Sequence, residues 1–235
     1  MMTTALLAPA NDTAEEDLDD FAIEIPATAH TLAGFRNWIL SDDVPEKRRI
    51  SFLQGRIIVD MGKEEILTHA AVKTAVAGTM FQLIETLDFG DLYINGVLLT
   101  NKEADVSNNP DMMAIRWQTV EEGKVRYVES SKNREVEIEG SPDWVLEIVS
   151  RSSALKDKRD LRNAYHQAGI REYWLIDARG EEIEFHILHW RKAGYVAAPS
   201  KEGWQRSKVF PCSFQLTRKR DRRGGWRYQL ATKTP

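Results

Sequence analysis

The chain of 235 residues contains a single cysteine, Cys212, which excludes an internal disulfide and favours a reducing compartment. It has no Cys-x-x-Cys pair and no other spacing typical of a zinc site. No apolar run reaches the roughly 18 residues that a transmembrane helix needs. The first residues also lack the basic and apolar regions of a secretion signal. These absences predict a cytoplasmic protein that has no membrane partner.

Positive charge is missing from the first 35 residues, which contain no lysine or arginine. They carry seven acidic residues, namely Asp12, Glu15, Glu16, Asp17, Asp19, Asp20 and Glu24. Without these seven, the formal net charge of the chain changes from −4 to +3. An overall negative charge argues against a general nucleic-acid binder, whose surface is normally basic. The mildly basic remainder is nevertheless compatible with binding a phosphate backbone.

A basic cluster surrounds Asp221 near the other end of the chain. Its members are Arg218, Lys219, Arg220, Arg222 and Arg223. Such charge runs are more often solvated surface than binding sites. Residues 1–25 are polar, acidic and without periodicity, which is typical of disorder. We therefore predict a disordered acidic tail at 1–25, a single domain at 26–210 and a basic C-terminal extension at 211–235.

Hydrophobic spacing predicts both helices and strands in the domain. A long helix is predicted over 64–87 from one apolar stripe, made of His69, Val72, Val76, Met80, Leu83 and Leu87. Shorter helices are predicted over 31–40 and from about 157 to 169. Strands are predicted at 92–100, 112–115, 144–149, 172–177 and 183–190, with a hairpin over 50–61, a ribbon within 116–141 and weaker strands around Val196 and Val209. This order is typical of an α/β fold with a mixed central sheet flanked by helices.

The segment Ser141–Ser150 is an apolar, strand-like run that contains a carboxylate, Glu147. A buried carboxylate is costly unless it is paired or binds a metal. A second acid, Asp111, follows Pro110 at the start of another short apolar segment. Because Mg²⁺ accepts one or two carboxylates together with phosphate and water oxygens, the two acids suggest a magnesium site. The carbonyl oxygen of Ile148 would be a further ligand.

Two lysines follow this strand, Lys156 and Lys158, and either could place an ammonium group beside the same cation. A divalent cation polarises a phosphate and activates water, and an ammonium group offsets the charge that develops on phosphorus. The pattern is therefore typical of a metal-dependent phosphodiesterase. In the alternative interpretation, Asp111 is a turn residue and Glu147 faces solvent on an edge strand.

Three segments together resemble one known family: Pro110-Asp111, Ser141–Ser150, and 157–177 with its Ala-Gly-Ile-Arg-Glu-Tyr-Trp sequence. They resemble the Uma-two family of restriction-endonuclease-like proteins, within the PD-(D/E)XK nuclease superfamily. The resemblance covers roughly residues 45–190. It implies an α-β-β-β-α-β core, Mg²⁺ dependence with Mn²⁺ as a possible substitute, and hydrolysis of DNA. By the family's pattern, Asp111 and Glu147 are the metal-binding carboxylates.

The chain departs from that pattern at the positions of the catalytic lysine. The superfamily's usual position is Val149, and the position commonly used by the family, in the following helix, is Leu161. We expect Lys158, one turn before Leu161, or Lys156, closer to the helix start, to replace it. The acid that the family often places before the hairpin glycine corresponds to Ser51 or Gln54, neither of which is a carboxylate.

The family often has a histidine at the position of His69, which would assist the metal-bound water or a phosphate. A lone histidine on an apolar helix face is, however, more often a core residue. The leading hypothesis is a Mg²⁺-dependent DNA endonuclease, and a homodimer would suit the cutting of two strands. The alternatives are a non-catalytic nucleic-acid- or protein-binding module on a nuclease fold, and a different phosphodiester or nucleotide substrate.

Overall fold

A computed structural model describes residues 24–41, 44, 49–130 and 134–234. The predicted acidic tail lies outside these ranges except for residues 24 and 25. Within them the chain forms four α-helices: α1 (Leu32–Ile39), α2 (Ala71–Leu87), α3 (Trp117–Glu121) and α4 (Arg162–Gln167). A π-helical turn precedes two of them, Ile66–Ala70 before α2 and Lys156–Leu161 before α4. None of the helices in the described ranges is long and apolar enough to cross a membrane.

The central sheet has six strands and a mixed strand direction. In spatial order they are β12 (Val196–Ala197), β11 (Glu184–His189), β10 (Glu172–Asp177), β9 (Trp144–Ile148), β6 (Met112–Arg116) and β3 (Gly90–Ile94). Strands β9 and β10 are parallel because α4 connects them, and the other neighbours are antiparallel. The series α2-β3-β6-β9-α4-β10 is the predicted α-β-β-β-α-β core, so the α/β fold class is confirmed.

Two further sheets flank this core. One contains β2 (Arg56–Asp60), β1 (Arg49–Leu53), β5 (Val106–Asn108), β4 (Leu98–Asn101), β8 (Glu135–Gly140) and β7 (Val125–Glu129) in spatial order. The other contains β13 (Ser200–Lys201), β14 (Trp204–Arg206), β15 (Ser213–Arg220) and β16 (Trp226–Lys233). The predicted hairpin over 50–61 is confirmed as β1–β2, and the predicted ribbon within 116–141 contains the hairpin β7–β8.

Alternating side chains of β9 bury themselves on opposite faces of the central sheet. Leu146 and Ile148 pack with α2 and the β15–β16 hairpin in one apolar cluster. Val145 packs with α4 and with the flanking sheet that contains β1, β4, β5, β7 and β8, in a second cluster. Each fully buried aliphatic side chain contributes on the order of 2 kcal/mol. Packing on both faces therefore holds β9 in a fixed position, and the intervening Glu147 points to the α4 side.

Three predicted elements differ from the structure. The strand predicted at 92–100 is two strands, β3 and β4, because Asn95 and Gly96 adopt positive φ angles and turn the chain into a different sheet. Leu87 is 37% exposed at the end of α2, and Ile84 takes its place in the buried stripe. Val209 is buried in a bend between β14 and β15 and belongs to no strand.

The residues from 211 onward, which we separated as an extension, contain the whole β15–β16 hairpin. Four of its side chains join the cluster that α2 forms with the central sheet: Phe214, Leu216, Tyr228 and Leu230. The Thr79 hydroxyl on α2 also donates a hydrogen bond to the Leu230 carbonyl at 3.0 Å. The hairpin thus covers α2 and shares the apolar core of residues 26–210.

Candidate active site

The antiparallel pairing of β6 with β9 brings Asp111 and Glu147 together. Met112 pairs with Leu146 in antiparallel register, so Asp111, which precedes Met112, lies beside Glu147, which follows Leu146. The Ile148 N–H donates to Asp111 Oδ2 at 2.8 Å, and the Asp111 N–H lies 3.4 Å from Glu147 Oε2. Both side chains are buried. The interpretation that makes Glu147 a solvent-facing edge residue is therefore wrong.

Two basic side chains from the α2 region, Lys73 and His69, contact Asp111. Lys73 Nζ lies 2.8 Å from Asp111 Oδ1, and His69 Nε2 lies 3.3 Å from Oδ2. Glu64 Oε1 contacts both, at 3.1 Å from Lys73 Nζ and 3.0 Å from His69 Nδ1. Burial alone would raise the pKa of Asp111, but the hydrogen bond and charge of His69 and the charge of Lys73 outweigh it. The pKa of Asp111 is consequently far below its usual value, and Asp111 stays ionised.

Glu147 has neutral hydrogen-bond partners instead. Its Oε1 accepts a hydrogen bond from the Tyr165 hydroxyl at 2.6 Å and another from Asn108 Nδ2 at 3.0 Å. Burial, together with the negative charges of Asp157 and Asp111, raises the pKa of Glu147 well above its usual value. The site is therefore asymmetric, because one carboxylate is neutralised by cations and the other is left without one. A cation placed between the carboxylates would remove this penalty.

The π-helical turn before α4 brings Asp157 and Lys156 to the same place. Asp157 Oδ2 accepts a hydrogen bond from the Ser153 hydroxyl. Burial raises the pKa of Asp157 to about 7, against the opposing charge of Lys156. Lys156 Nζ lies 3.5 Å from Asn108 Oδ1 and 4.0 Å from Asp157 Oδ1. Its ammonium group thus stands next to the carboxylates without a close ion pair.

The structure does not bring Lys158 to these carboxylates. Its Nζ instead contacts Asp177 Oδ2 at 2.7 Å and Glu184 Oε2 at 2.9 Å. The prediction assumed α-helical spacing between Lys158 and Leu161, but this segment is a π-helical turn, so the helical phase differs. Leu161 itself is fully buried in the apolar cluster. Of the two lysine candidates, only Lys156 reaches the site.

The site opens into a cavity of about 310 Å³. Residues of this lining include Asp111, Glu147, Ile148, Lys156, Asp157, His69 and Asn109. Two buried oxygens of the lining, Asp157 Oδ1 and Asn109 Oδ1, have no hydrogen-bond partner in the described part of the chain. Carboxylate and amide oxygens are the ligands that Mg²⁺ prefers. The donor set therefore fits a hard divalent cation.

The site is not a preformed metal cluster. Among the described residues, no three acidic, histidine or cysteine side chains stand in a metal-binding arrangement. Both oxygens of Asp111 already contact Lys73, His69 or the Ile148 N–H. Ile148 lines the cavity, and the role of its carbonyl oxygen as a ligand stays a prediction. A cation would have to share Asp111 with Lys73.

Lys73 and Asn108 belong to the site but were not predicted from the sequence. Lys73 follows His69 by four residues and lies beside the apolar stripe, and this was the available signal. Asn108 belongs to a polar run that leads into Asp111. The Ser51 hydroxyl, at one of the two positions that could correspond to the family's acid, donates to Asn108 Oδ1 at 2.6 Å. Ser51 therefore supports the site through Asn108.

Comparisons with known proteins agree on a nuclease-like architecture. Residues 33–219 match the Uma-two family model, which is described as "Putative restriction endonuclease". A crystal structure of "a putative nuclease belonging to DUF820" from Anabaena variabilis is similar, with a TM-score of 0.55 and 17% sequence identity. The match covers 77% of this chain and 90% of that one, and it supports the fold. No curated protein matches significantly.

Proposed function

Because the chain belongs to the Uma-two family of restriction-endonuclease-like proteins, we propose that it is a metal-dependent endonuclease that hydrolyses phosphodiester bonds of DNA. The observation that carries this proposal is the convergence of Asp111, Glu147 and Asp157 on one cavity, with the Lys156 ammonium beside them. Two unpartnered oxygens in the lining add support, since they fit a hard cation.

The proposed cofactor is Mg²⁺, which Mn²⁺ could replace. Asp111 and Glu147 would hold it, with the Ile148 carbonyl as a further ligand, and Asp157 lines the same cavity. A bound divalent cation would polarise the scissile phosphate and lower the pKa of a bound water. In the reaction the water oxygen bonds to phosphorus and the bond from phosphorus to the leaving oxygen breaks. The products are a phosphate monoester and an alcohol.

The chain's own residues prepare the site for this reaction. The Lys156 ammonium offsets negative charge that develops on the phosphate oxygens. The Tyr165 hydroxyl and the Asn108 amide fix the orientation of Glu147, since a catalytic group works best when its neighbours hold it in place. On the opposite side, His69 and Lys73 keep Asp111 ionised.

One observation favours a second candidate, a non-catalytic nucleic-acid- or protein-binding module on the same fold. Val149 and Leu161, which occupy the two usual lysine positions, are fully buried in the apolar core. Neither position can present a cation to a substrate. In that case the cavity would be a vestige, because a fold alone does not confer activity.

Cleavage of supercoiled plasmid DNA separates the two candidates. Wild type, Glu147→Gln and Asp111→Asn are compared in Mg²⁺, in Mn²⁺ and in EDTA, with Glu122→Gln on the surface as a matched control. We expect wild type and the control to cut only with metal, and both site variants to lose at least about 100-fold in rate. If wild type binds DNA in EDTA but never cuts it with either metal, the binding module is correct. Oligonucleotide, RNA and nucleotide substrates define the substrate class.

The proposal also covers the compartment and the oligomeric state of the protein. The protein would act in the cytoplasm, where the single thiol of Cys212, buried in the core, stays reduced. It would act as a homodimer, because a duplex has two strands to cut. Light scattering on the purified protein measures the mass directly, and the mass of one chain would reject the dimer.

A further inference from the structure

The β15–β16 hairpin carries a concentration of positive charge outside the active site. We call residues 217–229 the basic hairpin. Its charged side chains are Arg218, Lys219, Arg220, Arg222, Arg223 and Arg227, with Asp221 as the single acid. Asp221 Oδ1 accepts hydrogen bonds from the Arg223 and Gly225 N–H groups, at 2.8 and 2.9 Å. The acid thus closes the turn at the hairpin tip.

Two cations stand opposite each other on the exposed face of the basic hairpin. Lys219 pairs with Arg227 across the strands, and the next pair on this face is Thr217 with Gln229. All four residues are exposed. Like charges directly opposite in a sheet destabilise it, and no described acidic side chain forms an ion pair with Lys219 or Arg227. These residues border a surface depression of about 410 Å³. An anion bound there would offset the repulsion between Lys219 and Arg227.

The opposite face of the basic hairpin is rigidly attached to the domain. The guanidinium carbons of Arg218 and Arg220 lie 4.0 and 3.6 Å from the centre of the Trp226 ring. Arg218 also donates hydrogen bonds to the carbonyls of Ala178 and Gly180, at 3.3 and 2.9 Å. The exposed cations therefore sit on a fixed platform, which lowers the entropic cost of binding.

The basic hairpin lies close to the active site. Ala178 follows the carboxyl end of β10. Because β10 is parallel to β9, Ala178 lies at the same end of these two strands as Ile148. A Cβ atom on Gly225 would lie 3.4 Å from Leu67, a residue of the π-helical turn that carries His69. A polyanion that enters the cavity would consequently pass near the hairpin.

We propose that the basic hairpin binds the sugar–phosphate backbone of DNA beside the scissile bond, with Lys219 and Arg227 contacting phosphates. This inference rests on the proposed function. Phosphate contacts supply affinity and position and carry no sequence information. The repeated negative charge of a DNA strand can contact both of these cations at once, which a single small anion does less well.

The test is duplex DNA binding in EDTA over a series of salt concentrations. The variant is Lys219→Gln with Arg227→Gln, and the control is Lys192→Gln with Lys201→Gln, which removes equal charge from exposed positions elsewhere. Each lost phosphate contact lowers the slope of log K against log salt by about 0.9. We expect a slope smaller by about 1.8 and an affinity about 60-fold weaker at 0.1 M salt, while the control and the charge-preserving Lys219→Arg with Arg227→Lys match wild type.

Equal slopes for the variant and wild type would overturn the proposal. An equal loss in the control pair would also overturn it, because the effect would then be one of net charge. Binding to vesicles containing phosphatidylserine, without binding to DNA, would assign the hairpin to a membrane surface instead. Because all binding is measured without divalent metal, a protein that binds DNA through the hairpin but never cuts contradicts the proposed endonuclease alone. A protein that cuts with an unchanged slope contradicts the hairpin proposal alone.

Discussion

The ammonium nitrogen of Lys73 lies 2.8 Å from Asp111 Oδ1, although both side chains are almost excluded from solvent. Breaking a buried ion pair leaves an uncompensated charge and costs about 3 kcal/mol or more. We expect Lys73→Met to lower the free energy of unfolding, measured by urea denaturation in EDTA, by about 3 kcal/mol. Lys192→Met, at an exposed position, should change it by less than about 0.5 kcal/mol.

The same variant tests whether a divalent cation binds at Asp111. A bound cation would supply the positive charge that Lys73→Met removes, and ligand binding to the folded state raises stability. Added Mn²⁺ should therefore stabilise Lys73→Met more than it stabilises wild type. An equal effect of Mn²⁺ on both proteins would place the cation away from Asp111.

Lys156 and Lys158 differ sharply in position, although only Asp157 lies between them. Lys156 lines the cavity, whereas Lys158 pairs with Asp177 and Glu184. In the plasmid assay we expect Lys156→Gln to lower the cleavage rate about 100-fold, since it removes charge stabilisation at the phosphate. Lys158→Gln should stay within about twofold of wild type. The reverse order would return Lys158 to the catalytic role that the helical spacing suggested.

The raised pKa of Asp157 predicts how stability depends on pH. The folded protein keeps this proton up to about pH 7, whereas the unfolded chain loses it near 3.8. The folded state therefore binds more protons between these values, and the free energy of unfolding falls as pH rises. Glu147 and His69, whose pKa values are also raised, act in the same direction. Asp111, whose pKa is lowered in the folded state, is ionised in both states from about pH 5 upward and does not contribute to the pH dependence measured there.

Asp157→Asn should reduce the fall in the free energy of unfolding with rising pH. The contribution of one group is at most about 1.4 kcal/mol per pH unit. Urea denaturation in EDTA from pH 5 to pH 7 measures it. Asp160→Asn is the matched control on the same turn, because the pKa of Asp160 is lowered, chiefly by its hydrogen bond with Arg159. Parallel curves for wild type and Asp157→Asn would show that Asp157 is ionised throughout.

Two arginines bind glutamates of β8 and differ in burial, and they share Glu139, because Arg36 Nη2 also lies 2.6 Å from Glu139 Oε2. Arg36 of α1 binds Glu137 through two hydrogen bonds, at 2.9 and 2.7 Å, and Glu137 is buried. Arg126 binds Glu139 in the same manner, but the Arg126 side chain is 61% exposed. Arg36→Met should cost about 3 kcal/mol of unfolding free energy, and Arg126→Met less than about 1 kcal/mol. Similar losses would mean that burial of Glu137 does not control the cost.

The central sheet and its two acids could be predicted because their signals are local. Glu147 interrupts an apolar run, and Asp111 begins another, so each acid identified its own strand. Their proximity follows from pairing neighbouring strands. The turn at Asn95-Gly96 also had a local signal, since this dipeptide favours positive φ angles. The structure uses that turn to divide the predicted strand at 92–100.

Lys73 and Lys158 could not be placed from the sequence for a different reason. A lysine on a helix normally faces solvent, and only the fold brings Lys73 to Asp111, 38 positions later in the chain. Lys158 was placed by assuming regular α-helical spacing, which the π-helical turn violates. Such turns are stabilised by tertiary contacts, and no local pattern predicts them. The hairpin after residue 211 had an alternating apolar pattern at Phe214 and Leu216, next to its arginines.

The π-helical turn Ile66–Ala70 makes the contacts of Glu64 sensitive to the deletion of a single residue. Turns of this kind hold one residue more than the regular helix, so deleting Thr68 would restore ordinary winding and rotate the preceding residues by about 100°. His69 and Lys73 would keep their register with the buried stripe of α2, but Glu64, which contacts both, would swing away. Loss of a single codon could thus disconnect the outer acid from this network while Asp111 and Glu147 remain intact.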